Sequence, residues 1–269
     1  MRKRLNLQLL SPARPLLNAS HRFLSIRFME LPQYLNNERE HERITDLLAL
    51  TPAVKTTLDV GCREGFIASK LAERGASVTA VDLQCPQIEG VTCVTGNATK
   101  LAFADRSFEL VFCAEVLEHI ADCNTAADEI CRVASRYIVI AVPYKQDLTF
   151  YHSTCRNCGR SNPPWGHVNS FDERKLYSLF PAFRPVRISF VGSVETRCVP
   201  VASALMEMAG NPYGTYGQQE PCIHCGARLI PPARITLRQR TICKLAFIAR
   251  RFAKPEIHPF WIHVLFERQ

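Results

Sequence analysis

Thr57-Leu58-Asp59-Val60-Gly61-Cys62-Arg63-Glu64-Gly65-Phe66 constrains the fold more than any other stretch of the chain. A short apolar run meets an acid, and two glycines follow with three residues between them. A helical pattern then runs from Ile67 to Arg74. The order predicts a buried strand, a tight turn and a helix start. Glycine at such a turn bends the backbone where a Cβ would stand in the way. The helix N-terminus offers unpaired N–H groups to an electronegative ligand. The spacing is Gly-x-x-x-Gly, which counts against the Gly-x-Gly-x-x-Gly turn of NAD-dependent enzymes.

The next segments of the chain narrow the possibilities. Ser77-Val78-Thr79-Ala80-Val81-Asp82 is a second strand ending in an acid, 21 positions after Gly61. An acid there can take both hydroxyls of a ribose. Then come Thr95-Gly96-Asn97-Ala98 and an apolar strand, 109–113, leading into Glu115-Val116-Leu117-Glu118-His119. Segments 57–60, 66–74, 78–82, 109–113, 124–134 and 137–142 alternate between strand and helix patterns, which implies a parallel sheet with helices on both faces. In such sheets ligands bind at the carboxyl ends of the strands. Asp59, Asp82, Asn97 and Glu115 all fall at such ends.

These four ordered motifs resemble the class I S-adenosylmethionine-dependent methyltransferases, in their small-molecule-like, type 11 branch. The resemblance covers roughly residues 53 to 145. It implies an α/β, Rossmann-like, doubly wound sheet of seven mostly parallel strands with an antiparallel last strand. It implies S-adenosylmethionine as cofactor. By the resemblance Asp59 and Gly61 line the methionine end, and Cys62, Gly65 and Glu115 are also cofactor-binding. Asp82 holds the ribose with Leu83 beside it, and Asn97 with Ala98 meets the adenine. The family often has glycine where Arg63 stands and an acid where Asn97 stands. Arg63 is expected to keep an ordinary backbone angle, its guanidinium reaching the cofactor carboxylate or solvent. Asn97 can still accept a hydrogen bond from an adenine amino group.

Methyl transfer from a sulfonium is an in-line displacement that needs positioning and water exclusion. A base is required only when the acceptor carries a proton that must leave. Glu118 and His119 are the candidates by position, and His119 has the suitable ordinary pKa. His167, in Gly166-His167-Val168-Asn169, is a further candidate that either faces the substrate or packs beneath a loop. The turn Cys113-Ala114-Glu115-Val116 is not an Asn/Asp-Pro-Pro-aromatic turn, which argues against methylation of base amino groups. The expected acceptor is a small or lipid-linked molecule, methylated at oxygen or nitrogen. The alternatives are an RNA or protein methyltransferase and a non-catalytic zinc-bearing interaction module.

Cys155-Arg156-Asn157-Cys158-Gly159 and Cys222-Ile223-His224-Cys225-Gly226 are two Cys-x-x-Cys-Gly knuckles separated by 63 residues. A tetrahedral four-thiolate zinc site needs two such knuckles. A helix over 171–180, a strand over 186–191 and a final strand over 259–267 bring both to one side of the sheet, where one zinc can tie them into a lid. His152, His167 and His224 are alternative ligands, and a redox pair is the rival reading. The chain thus divides into a basic leader (1–28), a cofactor-binding core (29–150), a lid region (151–258) and a final strand (259–269).

The net charge of +8 is uneven. Residues 1–28 carry six Lys/Arg and no acid, and residues 229–269 carry eight Lys/Arg and two acids. The middle is therefore mildly acidic, which is not the footprint of a nucleic-acid-binding face. The leader suits a disordered tail, an upstream start with Met29 the true beginning, or an Arg-rich transit peptide. No run approaches the roughly 18 apolar residues of a membrane span. Twelve cysteines, most of them single within apolar segments, fit a reducing, cytoplasmic setting. Glu38 to Leu50 is an amphipathic helix, with Ile44, Leu47, Leu48 and Leu50 on its apolar side. Residues 233–254 form a basic one, with Ile235, Ile242, Leu245, Ile248 and Phe252 near helical spacing. That stripe is expected to pack on its own domain, with contact to an anionic membrane surface as the rival.

Overall fold

The computed structural model describes residues 37–269. The readings of the 1–28 leader and of Met29 lie outside the described residues. In chain order the elements are α1 (Glu38–Leu50), β1 (Thr56–Val60), α2 (Phe66–Glu73), β2 (Ser77–Asp82), β3 (Thr92–Thr95), β4 (Phe108–Ala114), a 3-10 turn at Leu117–His119, α3 (Cys123–Val133) and β5 (Ala134–Pro143). Next are the short pair β6 (Ser153–Thr154) and β7 (Ser161–Asn162), a 3-10 turn at Pro164–Gly166, α4 (Glu173–Ser178), β8 (Phe183–Val191) and β9 (Val194–Thr196). The chain continues with α5 (Pro200–Met208), α6 (Leu237–Phe252), β10 (Glu256–His258) and β11 (Trp261–Arg268).

Seven strands form one sheet in the order β3-β2-β1-β4-β5-β11-β8. The first five run parallel, and β11 enters antiparallel to both β5 and β8. This is the expected doubly wound sheet with an antiparallel last strand. Its central strands are apolar because both faces are covered. On one face Leu110, Phe112, Val139 and Ala141 pack beneath α1 and α2, through Leu47, Leu50, Ala68 and Leu71. On the other Val111, Cys113, Ile138 and Ile140 pack beneath α3 and α4, through Ala126, Ile130 and Leu176. The reversal of strand order between β1 and β4 leaves a crevice at their carboxyl ends.

The helix over 171–180 proves shorter, and β8 starts at Phe183 rather than 186. β8 is the sheet's edge, where Pro185, which has no N–H to donate, is tolerated; the pairing with β11 shifts register there. β3 and α5 have no counterpart among the sequence expectations. α6 corrects another of them. It packs on α5 and Phe150 through the small residues Cys243 and Ala246. Leu245, Ile248 and Phe252 of the expected stripe face outward instead, with exposures of 52%, 43% and 84%. Among the described residues no helix is long and apolar enough to cross a membrane.

Candidate functional site

The β1–α2 turn contains three left-handed residues: Gly61 (φ 77°), Arg63 (φ 49°) and Gly65 (φ 82°). A Cβ on Gly61 would stand 2.2 Å from Val116 Cγ2, and one on Gly65 2.2 Å from Ile88 Cδ1. The missing Cβ atoms therefore make room for the protein's own side chains. The ordinary backbone angle expected of Arg63 is overturned. Left-handed backbone costs a non-glycine residue about 1–2 kcal/mol. Part of the offset is visible, since the Arg63 N–H donates to Asp82 Oδ2 at 2.9 Å. Its guanidinium donates to Gln219 Oε1 and its Nε lies 3.4 Å from Glu64. The side chain thus ties the turn to the segment just before the second knuckle.

Asp82 ends β2 beside this turn, its Oδ1 accepting from the Gln84 N–H at 3.2 Å. Leu83 next to it is 70% exposed. Asn97 follows β3, the strand paired with β2. Its Oδ1 accepts from the Thr99 N–H and the Thr99 hydroxyl, each at 3.0 Å, which engages the oxygen assigned to adenine in a local turn. Ala98 packs half-buried against the core.

A cavity of about 400 Å³ opens at the carboxyl ends of β1 and β4, with Asp59, Gly61, Cys62, Glu115, Glu118, His119 and His167 in its walls. Its acids are buried and short of partners. Asp59 is 3% exposed and its Oδ2 has no hydrogen-bond partner. Burial, and then the Asp82 charge, push the Asp59 carboxyl up to about 7. Glu115 sits at φ 58°. Its Oε2 accepts from Trp261 Nε1 at 2.9 Å, and its Oε1 is unpartnered. Burial raises it to about 7, against the lowering influence of Arg43. Glu118 is fully buried, and neither carboxylate oxygen has a partner; burial holds its carboxyl well above the usual range.

The imidazoles of His119 and His167 meet edge to face with centroids 4.5 Å apart. Burial lowers both, His167 to about 3 with His119 adding to the effect. His167 Nδ1 lies 2.6 Å from Gln146 Oε1. The walls are completed by residues without a local sequence signal. Trp165 and Glu220 approach from the segments next to the two knuckles, and Trp261 and Arg43 from β11 and α1. Only the tertiary fold brings these four to the cavity.

Residues 58–137 match the family described as the methyltransferase domain. This part of the chain is a methyltransferase domain. The match runs from within β1 to the start of β5, including Asp59, Asp82, Glu115, Glu118 and His119. The chain is 38% identical over 82 residues to a ubiquinone biosynthesis O-methyltransferase of Pseudomonas fluorescens Pf0-1, which is 26% of this chain and 35% of that protein. It is 37% identical over 73 residues to the enzyme of the same name from Rickettsia conorii, 23% of this chain and 25% of that one. The chain thus spans about a third or less of the length of the curated relatives it matches. A candidate methyltransferase from Bacillus halodurans C-125 shares the fold, with a TM-score of 0.51 and 11% identity, over 83% of this chain and 97% of that one. So does a structure of the complex between the Haloferax volcanii Trm112 methyltransferase activator and a candidate methyltransferase, with a TM-score of 0.50 and 13% identity, over 87% and 92%.

The knuckles lie outside the matched methyltransferase domain, yet their four sulfurs converge. Cys155 Sγ lies 3.7 Å from Cys225 Sγ, and Cys158 Sγ 3.7 Å from Cys222 Sγ. All four fall within 4.8 Å of one another. A tetrahedron of four bonds of about 2.3 Å has edges of about 3.8 Å, so the spacing fits a tetrahedral metal. The two turns are alike. Gly159 and Gly226 end them at φ 71° and 70°, their N–H groups donating to the Cys155 and Cys222 carbonyls at 2.8 and 2.9 Å. The alternative ligands His152 and His224 turn to oxygen partners on Ser161 and Leu148. His167 belongs to the cavity. Between and beside the knuckles, Gln218 Oε1 accepts from the Trp165 N–H at 2.8 Å, and the Glu118 carbonyl accepts from the Val168 N–H at 2.7 Å.

Proposed function

We propose that this protein transfers a methyl group from S-adenosylmethionine to a hydroxyl of a small or lipid-linked acceptor. One observation carries the reading: the unpartnered, buried acid oxygens of Asp59 and Glu115 face a cavity at the carboxyl ends of β1 and β4, inside a methyltransferase domain. A ligand bearing an ammonium and a sulfonium suits such walls. The similarity to enzymes named ubiquinone biosynthesis O-methyltransferases favours oxygen over nitrogen as the methylated atom.

The cofactor supplies an electrophilic methyl group. Asp59 neutralises its methionine end, and Asp82, whose carboxylate keeps acceptor capacity beyond its two backbone donors, takes the ribose. Trp165, His167 and Glu220 cover the cavity and keep water from the reacting atoms. His119, neutral at physiological pH, takes the acceptor's proton. The four cysteines hold a structural zinc that fixes the cover. The outward apolar residues of α6, set among Arg238, Arg240, Lys244 and Arg251, support peripheral contact with an anionic membrane, where a lipid-linked acceptor is found.

Calorimetry with S-adenosylhomocysteine tests cofactor binding. Transfer of labelled methyl to a panel of phenols, amines and prenylated phenols tests the acceptor. Binding together with label in a phenol fraction is expected. Intact binding with label only in amines would move the reaction to nitrogen, and absence of binding would overturn the reading.

A further inference from the structure

Two backbone N–H groups hold the Asp82 carboxylate, one on each oxygen. The Arg63 N–H donates to Oδ2 at 2.9 Å and the Gln84 N–H to Oδ1 at 3.2 Å. Each donor is the chain neighbour of a cysteine: Cys62 in the glycine turn and Cys85 in the segment after β2. The two thiols meet. Cys62 Sγ lies 3.5 Å from Cys85 Sγ, although 23 positions separate them. Cys62 is buried and lines the cavity, whereas Cys85 is half-buried. The methyl transfer proposed above uses neither sulfur, and neither belongs to the knuckles.

Thiols in contact are placed for oxidation to a disulfide. The sulfur–sulfur bond is about 2.05 Å long, so the gap must close by about 1.5 Å more. Close packing leaves the buried Cys62 little room to turn, and the backbone takes part of the movement. The two thiols are unequal. Burial pushes both up from the ordinary thiol range. The Cys62 S–H lowers Cys85 by hydrogen bonding to it, and the same contact raises Cys62 further. Negative charge therefore forms on Cys85, which is also the sulfur nearer to solvent. The thiolate is the attacking form, so Cys85 reacts first and Cys62 second.

We propose that Cys62 and Cys85 form a reversible dithiol switch beside the ribose acid Asp82, oxidised by a small-molecule disulfide such as glutathione disulfide. The Cys85 thiolate attacks one sulfur of the oxidant. The oxidant's sulfur–sulfur bond breaks, and its other half leaves as a thiolate that takes up the Cys85 proton. Cys62 then gives up its proton and attacks the Cys85 sulfur, and the second half leaves and takes that proton. Two protein thiols become one disulfide, and one oxidant disulfide becomes two thiols. The new bond draws the Arg63 and Gln84 N–H groups together across Asp82, which turns its carboxylate from the ribose. This control of the cofactor rests on the methyltransferase reading above; the dithiol itself does not.

The test incubates the zinc-loaded full chain with reduced or oxidised glutathione and maps its peptides by mass spectrometry. A peptide pair joined through Cys62 and Cys85, released by dithiothreitol, is expected after oxidation. Calorimetry should find S-adenosylhomocysteine bound about tenfold or more weakly in the oxidised chain, the scale of one lost hydrogen bond to a charged acceptor. Dithiothreitol should restore the affinity, and Cys85→Ser should bind alike under both conditions. The map of the unsubstituted chain does not depend on how that variant folds. Absence of a Cys62–Cys85 peptide overturns the proposal. So does a bond from Cys85 to Cys93, the other thiol that faces it. Weakening that persists in oxidised Cys85→Ser, or a Cys62–Cys85 bond that leaves the affinity unchanged, overturns control of the cofactor by this pair. Formation of the bond in a chain that never binds S-adenosylhomocysteine, even when reduced, upholds the dithiol and sinks the methyltransferase reading.

Discussion

Trp261 Nε1 donates to Glu115 Oε2 at 2.9 Å, joining residues 146 positions apart. The bond runs from the start of the antiparallel β11 to the residue just past β4. It holds a strained acid, at φ 58°, against the cavity. Trp261→Phe leaves Glu115 with neither oxygen partnered. A loss of about 1–3 kcal/mol is expected, read as a lower urea midpoint at unchanged slope. Glu115→Gln in the Trp261→Phe background should recover part of it, because an amide tolerates burial better than a carboxylate. Purely additive losses would contradict the coupling.

Cofactor affinity should depend on pH through Asp59. Its carboxyl stands at about 7 in the cofactor-free protein, raised first by burial. A raised folded-state value means stability from this group is present below the ordinary carboxyl range and is lost as pH rises through about 7. A cationic ligand reverses the preference by favouring the ionised form. Affinity for S-adenosylmethionine is therefore expected to fall by up to about tenfold per pH unit below 7. Calorimetry from pH 8 to 5.5 checks this, and Asp59→Asn should bind weakly with a flatter profile. A steep profile surviving in Asp59→Asn would assign the dependence elsewhere.

Metal analysis of the purified chain should find one zinc per chain, lost in Cys155→Ser and in Cys222→Ser. The knuckles make a small cluster of their own with Leu229, distinct from the two clusters of the main sheet. Zinc removal is expected to loosen the cover while the sheet persists. Protease cutting within 155–226 should rise sharply, with little change in far-ultraviolet circular dichroism. Loss of the whole sheet on chelation would show that the knuckles are needed for the fold itself.

Gly61→Ala combines a left-handed backbone, at φ 77°, with a contact of 2.2 Å to Val116 Cγ2. Destabilisation above about 1 kcal/mol is expected. Trimming Val116 to Ala in the same chain should return only part of the loss, since the backbone strain stays. Complete recovery would mean that the crowding alone mattered.

The parts of this fold legible from sequence are those where local chemistry and tertiary placement agree. β1, β4 and β5 are apolar runs because both faces of the sheet are covered. The glycine turn and the acids at the carboxyl ends of β1, β2 and β4 are local signals that topology then gathers at one edge. The two knuckles are visible as repeated spacing, although 63 residues apart. β3 escapes notice because Thr92–Thr95 is short and only half-buried. α6 misleads for a different reason. Periodicity weights large side chains, whereas its packed face rests on Cys243 and Ala246, which allow close approach to α5. The left-handed Arg63 has no signal at all, since the hydrogen bond to Asp82 that supports it exists only once β1 and β2 pair. Glu118, His119 and His167 each stand out singly, but their convergence depends on how the segment after β7 returns over β4.

The position of β11 between β5 and β8 has a consequence for how the chain is made. A ribosome delivers β5 and β8 well before the strand that separates them. Until β11 arrives, both expose unpaired backbone edges beside an apolar surface, the condition that favours wrong strand partners. Trp261 is carried on that late strand, so Glu115 waits unpartnered until then. The crevice is therefore finished only when the sheet closes, and a nascent chain stalled short of β11 holds the glycine turn without a working pocket.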